Sequence, residues 1–424
     1  MKIGTSERVI TPDAEIELCG YLSREQPSTG KHDDLYVRTL YIENAGNKIV
    51  WIHCDLIGFS NELAWHIRNT VAEVLEIDAV NVVLSATHTH AGPATMFLRK
   101  CGAVNPAYIE FLNKTIIESV IETLQNSEEV TMHFSESVVN GISFDRTESS
   151  ENSNVDNTLP VIGFKRKDGA FKAILTNFAI HNVGLSSNNR KISSDIAGFA
   201  AVRTSSLING APVVLLTNGG CGNINPVFRS DDYSSIEKSG TILSDSIVSE
   251  ISKLSQCSDY TISSSFIELE LPLDILTSEH LTKIVESHQR HFDAGEDNHM
   301  TRRYRDAIRI WRDETKEIIE NKREIKPVVS YVHIIKIGHL TFVGINAEVF
   351  SIMAERLKEL TGIQRLYISG YTDGCIGYLA PLTSYDTNEY AVNDAHKFYG
   401  HFRLKPGCFE MLQNRIAKSL LRSQ

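Results

Sequence analysis

Between residues 37 and 57 (VRTLYIENAGNKIVWIHCDLI), two stretches rich in β-branched and aromatic residues flank Asn44-Ala45-Gly46-Asn47. Gly and Asn tolerate the positive φ of a tight turn, so this segment predicts a β-hairpin. Residues 61–76 (NELAWHIRNTVAEVLE) change period: Leu63, Ile67, Val71, Val74 and Leu75 fall on one helical stripe, with Asn61 placed to cap its start. Residues 80–84 (VNVVL) return to a buried strand, which ends on Ala86-Thr87-His88-Thr89-His90-Ala91-Gly92-Pro93.

Three later segments repeat this form, an apolar run followed by polar residues and glycines: 173–181 (AILTNFAIH), 213–220 (VVLLTNGG) and 340–348 (LTFVGINAE). In α/β sheets ligands gather outside the carboxyl ends of strands, so segments remote in sequence can share one site. The pattern predicts an α/β enzyme of mixed β-sheets flanked by helices. Residues 146–158 and 184–195 are polar and read as surface loops. From about 279 to 326 the chain is helical and highly charged, with Tyr304, Ala307, Ile308, Trp311, Thr315 and Ile318 three or four apart. Arg302, Arg303, Arg305, Arg309 and Arg312 are interleaved there with Asp306, Asp313, Glu314 and Glu317, which predicts a solvated amphipathic face rather than a polyanion site.

A chain of 424 residues with 42% hydrophobic content can bury a sizeable core unaided. The 42 Lys and Arg against 53 Asp and Glu give a net charge of -11, the wrong sign for a nucleic-acid partner. No apolar run approaches the ~18 residues of a membrane-spanning helix, and the first residues, MKIGTSERVITP, lack the apolar core of a secretory signal. The expectation is a soluble, cytoplasmic protein without stable membrane insertion, its oligomeric state open. The seven cysteines are odd in number, scattered and without a CxxC pair, so they read as small buried hydrophobes.

Within the most informative segment, residues two apart in an extended chain point to the same side, so His88 and His90 are expected to face one pocket. Such a pair can supply one metal ligand and one proton carrier. His181 ends an apolar run where a nonpolar residue would ordinarily serve. Glu348 precedes an expected helix from Val349 to Leu360, where an acidic residue also suits the helix dipole. Nitrogen and oxygen donors in this mixture suit zinc, although histidines that merely close strand ends leave a structural role open. Gly219-Gly220-Cys221-Gly222-Asn223-Ile224-Asn225-Pro226 is too glycine-rich for packing, and it is neither a P-loop nor a dinucleotide fingerprint. No GxSxG elbow is present.

Taken in order, these pieces resemble the catalytic domain of the neutral/alkaline non-lysosomal ceramidase family of zinc amidases. The resemblance runs from Ile10-Thr11-Pro12 and Gly20-Tyr21 through residues 30–38 (GKHDDLYVR), the THTHAGP stretch, Asn177 to His181, Ser194-Asp195, residues 222–226, Asn346-Ala347-Glu348 and Gly377-Tyr378. It implies a ceramidase-like catalytic fold and one zinc ion per chain, bound by His88, His181, Glu348 and Tyr378. It implies that His90 is a substrate-facing acid/base, that Arg146 contacts substrate and that Tyr390 is a second active-site tyrosine. Where the family has a serine, in a GDxSP pattern, this chain has Asn225, and PGE has become Asn346-Ala347-Glu348. The immunoglobulin-like C-terminal domain of secreted ceramidases is expected to have no counterpart here.

The domain reading is a single zinc-dependent amidase-like catalytic domain over 1–424, with a charged helical insertion at about 279–326. The expected function is hydrolysis of an amide, or ester, bond in a small soluble N-acyl or acylated compound by zinc-activated water, with Asn225 positioning the substrate. The alternatives are a ceramidase acting on a ceramide-like lipid and a zinc-containing binding protein without catalysis.

Overall fold

The computed structural model describes residues 1–147, 154–387 and 389–422. Part of the polar stretch 146–158 therefore lies outside the described residues.

The predicted hairpin is present. Tyr36–Asn44 and Asn47–Cys54 pair antiparallel, closed by Ala45 and Gly46 at φ 49° and 85°. This two-residue turn with two positive φ values matches the right-handed twist of the flanking strands. The helix that follows, Asn61–Leu75, is capped one residue earlier than expected: the Ser60 side chain accepts from the Leu63 N–H, and Asn61 is the first helical residue. It buries Ile67, Val71 and Leu75, whereas Val74 lies at the edge of the stripe and is exposed. The next strand also starts later, because Ala79–Asn81 forms a 3-10 turn before Val82–Ala86.

Three mixed sheets carry the molecule. The first has the strand order Val82–Ala86, Asn47–Cys54, Tyr36–Asn44, Lys2–Val9, Glu128–Glu129. The second runs Val213–Asn218, Phe171–Phe178, Thr158–Lys165, Thr131–Val138, Ser255–Gln256. The third runs Ile262–Leu271, Val328–Ile337, Leu340–Ile345, Leu366–Ser369. Each sheet has one parallel pair at its edge: Asn47–Cys54 with Val82–Ala86, Phe171–Phe178 with Val213–Asn218, and Leu340–Ile345 with Leu366–Ser369. These strands are buried on both faces, as edges covered by neighbouring layers must be. Trp51, Val83, Leu175, Leu215, Phe342 and Tyr367 from all three sheets form one continuous apolar cluster. The parallel edge pairs thus lie side by side, and their carboxyl ends open toward a common region.

The charged segment forms two helices, Ser278–Ala294 and His299–Glu320. Ala307, Ile308, Trp311 and Thr315 are buried, as the spacing predicts. Several of the expected local pairs form, among them Arg309 with Asp306 and Arg312 with Asp313. Two charged residues do something else. Arg303 donates to the carbonyls of Leu22 (2.9 Å) and Lys100 (2.7 Å), and Glu314 receives both terminal nitrogens of the buried Arg99 at 2.8 and 2.7 Å. A bidentate pair of this kind fixes orientation as well as attraction, so the helices are bolted to loops 22–25 and 97–101. All seven cysteines are free and buried.

Candidate active site

Five strand ends deliver the site. His88 and His90 follow Ala86, His181 follows Phe178, Cys221 and Asn225 follow Asn218, Glu348 follows Ile345, and Tyr371 follows Ser369. The premise that His88 and His90 share an extended segment does not hold, because the strand ends at Ala86 and His88 adopts φ 66°. Left-handed backbone at a residue other than Gly or Asn is strained and persists only where its surroundings hold it. Here the side-chain amides of Asn182 and Asn218 both donate to the Thr87 carbonyl, at 2.5 and 2.9 Å, and the His88 N–H donates to Leu56 O at 2.8 Å. The turn still brings the two imidazoles together, with their Nε2 atoms 3.1 Å apart.

His181 Nε2 is also 3.1 Å from His88 Nε2, and Glu348 Oε2 lies 3.3 Å from His88 Nε2 and 3.5 Å from His181 Nε2. The opposite ring nitrogens explain why this is more than a polar contact. His88 Nδ1 lies 2.6 Å from Ile57 O and His181 Nδ1 3.1 Å from Cys221 O. A carbonyl can only accept, so Nδ1 carries a proton in both rings and each ring turns its Nε2 toward the other. Protonating Nε2 is opposed at His181: burial, then Arg146, His88 and His90, hold its pKa well below the ordinary value. Burial pushes the Glu348 carboxyl up, but His88, the Tyr399 hydroxyl and Arg146 outweigh it and leave the group below the usual carboxylate range. Two converging imidazole nitrogens beside a buried carboxylate are a donor set that fits zinc.

His90 differs from the other two. Its Nδ1 is buried without a hydrogen-bond partner among the described residues, while its Nε2 faces His88 Nε2 at 3.1 Å. Burial, then His88, Arg24, Arg146 and Arg229, keep the ring neutral by holding its pKa well below the ordinary value. By donor geometry alone, His88, His90 and His181 form one cluster able to hold a metal ion. His90 lacks the backbone carbonyl that holds Nδ1–H in the other two rings.

Glu348 does not open a helix, as its surroundings in the sequence suggested. Glu348–Val349 is a short strand paired in parallel with Tyr378–Leu379, Glu348 opposite Tyr378, and the helix begins only at Ile352. Tyr378 thus stands beside the carboxylate, with its hydroxyl 2.7 Å from Arg146 Nη2. Tyr390 packs edge-on against Tyr378 at 6.0 Å between ring centres. Asn225 sits in the short strand Ile224–Pro226, opposite Phe144, and its side-chain oxygen accepts from Arg146 Nη1 at 3.4 Å. Two further tyrosines were not anticipated. Tyr371 stacks on His88 at 4.0 Å, and its hydroxyl lies 3.2 Å from Cys221 Sγ and 3.5 Å from Glu348 Oε2. Tyr399 donates to Glu348 Oε1.

A cavity of about 450 Å³ opens on this cluster. His88, His90, Glu348 and Tyr378 occupy one side, and Leu98, Phe292, Met300, Tyr304 and Phe398 supply apolar wall. The helices of the charged segment therefore line the cleft, a role that sequence periodicity cannot report because it shows which face is buried and not what that face covers.

A family model described as neutral/alkaline non-lysosomal ceramidase, N-terminal, matches residues 1–214, which include His88, His90, Arg146 and His181. Neutral ceramidase B of Dictyostelium discoideum is 23% identical over 217 residues, 46% of this chain and 30% of that protein. Neutral ceramidase of Pseudomonas aeruginosa is 24% identical over 221 residues, 47% of this chain and 33% of that protein. The alignment thus spans only about a third of the length of these curated relatives. Among solved structures, neutral ceramidase from Pseudomonas aeruginosa superposes with a TM-score of 0.75 at 17% identity, covering 100% of this chain and 74% of that one. A ceramidase complexed with C2 gives 0.76 at 14% identity, covering 100% and 75%. At these identities the likeness establishes the α/β fold of mixed sheets.

Proposed function

The chain belongs to the neutral/alkaline non-lysosomal ceramidase family, and from that premise we propose that it hydrolyses the amide bond of a ceramide-like lipid at a single zinc site. The observation that carries this reading is the convergence of two imidazoles held by backbone carbonyls and a buried carboxylate on one point at the mouth of a largely apolar cavity. His88, His181 and Glu348 would hold the ion, with Tyr378 beside them. When bound, zinc would supply a Lewis acid for the carbonyl and acidify water.

The chain's own residues account for the remaining steps. Apolar walls hold the substrate chain and exclude bulk water from the amide. His90 takes a proton from the attacking water as the new C–O bond forms, then passes it to the nitrogen as the C–N bond breaks. Arg146, held by Asn225 and Gly222 O, and the hydroxyls of Tyr378 and Tyr390 are donors for the charge that develops on the carbonyl oxygen. The products are a carboxylate and an amine. Asn225 has neither hydroxyl nor thiol, so no acyl group is passed to it and turnover should show no burst.

The ceramide-like lipid replaces the small soluble compound as the first reading. That expectation leaned on the lack of a signal or spanning segment, whereas Phe292, Met300, Tyr304 and Phe398 supply an apolar wall that suits an alkyl chain. No helix among the described residues is long and apolar enough to cross a membrane.

The test is fatty-acid release from a panel of ceramides and simpler N-acyl amides, using wild-type protein and two Asn225 variants. Wild-type should hydrolyse members of the panel, and Asn225→Ala should lose about 1–3 kcal/mol of transition-state stabilisation as Arg146 loses a partner. Inactivity of wild-type on every amide, with turnover only in Asn225→Ser, would mean that Asn225 marks an enzyme that has lost its chemistry.

A further inference from the structure

Three guanidinium groups surround His90, and among the described residues none has a carboxylate within ion-pairing distance. Arg24 is buried; one of its nitrogens donates to the His90 carbonyl at 2.8 Å, while Nε and Nη2 have no partner. Arg146 bonds only to neutral oxygens, those of Asn225, Gly222 and Tyr378. Arg229 is exposed, and its Nη2 lies 3.2 Å from the Tyr21 hydroxyl, which itself donates to Leu185 O at 2.8 Å. Arg24 and Arg229 are both near the Tyr21 ring, at 4.9 and 5.7 Å from its centre, and that ring lies 5.0 Å from His90 and lines the cavity.

The nearby acids are committed elsewhere. Glu348 faces His88, His181 and Tyr399. Asp195 accepts from the N–H groups of Gly184, Leu185 and Ile196. Asp231 is bound to Ser186 and Asn188, and Asp232 to Ser230 and Ser234. None of these acids contacts Arg24 or Arg229, so an anionic group on the substrate would supply the partner these guanidinium groups lack, which a neutral ceramide head group would not.

We infer that the Tyr21 and Arg229 end of the cleft is a recognition subsite for an anionic group on the substrate, with the Arg24 charge behind it. This rests on the amide-hydrolase reading of the same site and differs from a ceramide-like substrate in the head group, which is acidic instead of neutral. The preferred substrate is an amide with one long acyl chain whose amine portion bears an acidic head, a carboxylate or a sulfonate, a few bonds from the scissile nitrogen. The acyl chain lies along the Phe292, Met300 and Phe398 wall, and the head group meets Arg229 Nη beside the Tyr21 ring.

The test compares N-lauroylglycine, N-lauroyltaurine and the neutral N-lauroylethanolamine at low salt. Wild-type protein should favour at least one acidic amide over the neutral one by about 10-fold in kcat/KM, mainly through KM, as expected for one charge-assisted hydrogen bond at a partly solvated site. Glycine over taurine indicates a fit to planar carboxylate, and equal preference indicates a site for anions in general. Arg229→Gln should erase the acidic-to-neutral ratio and Arg229→Lys should restore part of it. Equal kcat/KM for all three in wild-type, or a ratio unchanged in Arg229→Gln, overturns the subsite while leaving amide hydrolysis standing. If no amide is cleaved, the hydrolase reading fails, and relative binding of the three by calorimetry still decides the subsite in the same way.

Discussion

His88→Ala is expected to leave the protein folded but nearly free of zinc, and His181→Ala to do the same. Each imidazole has its Nδ1 proton held by a backbone carbonyl, Ile57 O or Cys221 O, and offers only Nε2 to the shared point. Removing either ring deletes a donor outright. The loss in affinity should therefore be at least the ~10–100-fold that follows when only a group behind a ligand is removed. Because His88 has φ 66°, His88→Asn is the companion variant, since Asn tolerates left-handed backbone better than Ala. Elemental analysis after gel filtration, with circular dichroism as the folding control, reads the outcome. Full zinc occupancy in the His88 and His181 variants would remove both residues from the site.

The His90→Ala variant is expected to behave in the opposite way, retaining zinc while kcat falls by ~10²–10⁴, the range for a lost general acid–base group. No backbone carbonyl holds its Nδ1, in contrast to the other two rings. Its Nε2 nevertheless lies as close to His88 as that of His181 does. Proximity to His88 therefore does not assign the role; the zinc content of the variants does. Zinc lost from His90→Ala but kept in His88→Ala would show that the two roles are exchanged.

The parts of this site legible in the sequence are those set by backbone patterning. Apolar runs ending in polar residues located the carboxyl ends of Val82–Ala86, Phe171–Phe178, Val213–Asn218 and Leu340–Ile345, and burial on both faces explains why those runs are so uniformly apolar. The segment after Leu366–Ser369 has the same form, in Gly370-Tyr371-Thr372-Asp373-Gly374, and the same reasoning would have found Tyr371. Tyr399 carries no such signal: it follows no strand, and its contact with Glu348 depends on where the short helix His396–Tyr399 is carried. The His88 turn was misjudged as extended because local pattern cannot anticipate Asn182 and Asn218 pinning the Thr87 carbonyl from two other strand ends. Arg303 and Glu314 were read as surface charges for the same reason, since their partners lie in loops far away in sequence.

The most direct test is the hydrolysis rate of a long-chain N-acyl amide measured before and after zinc is stripped with a chelator, and again after zinc alone is restored. The site described here predicts that activity disappears with the metal and returns in proportion to zinc, saturating at one ion per chain. Undiminished turnover in protein shown by elemental analysis to be free of metal would contradict it.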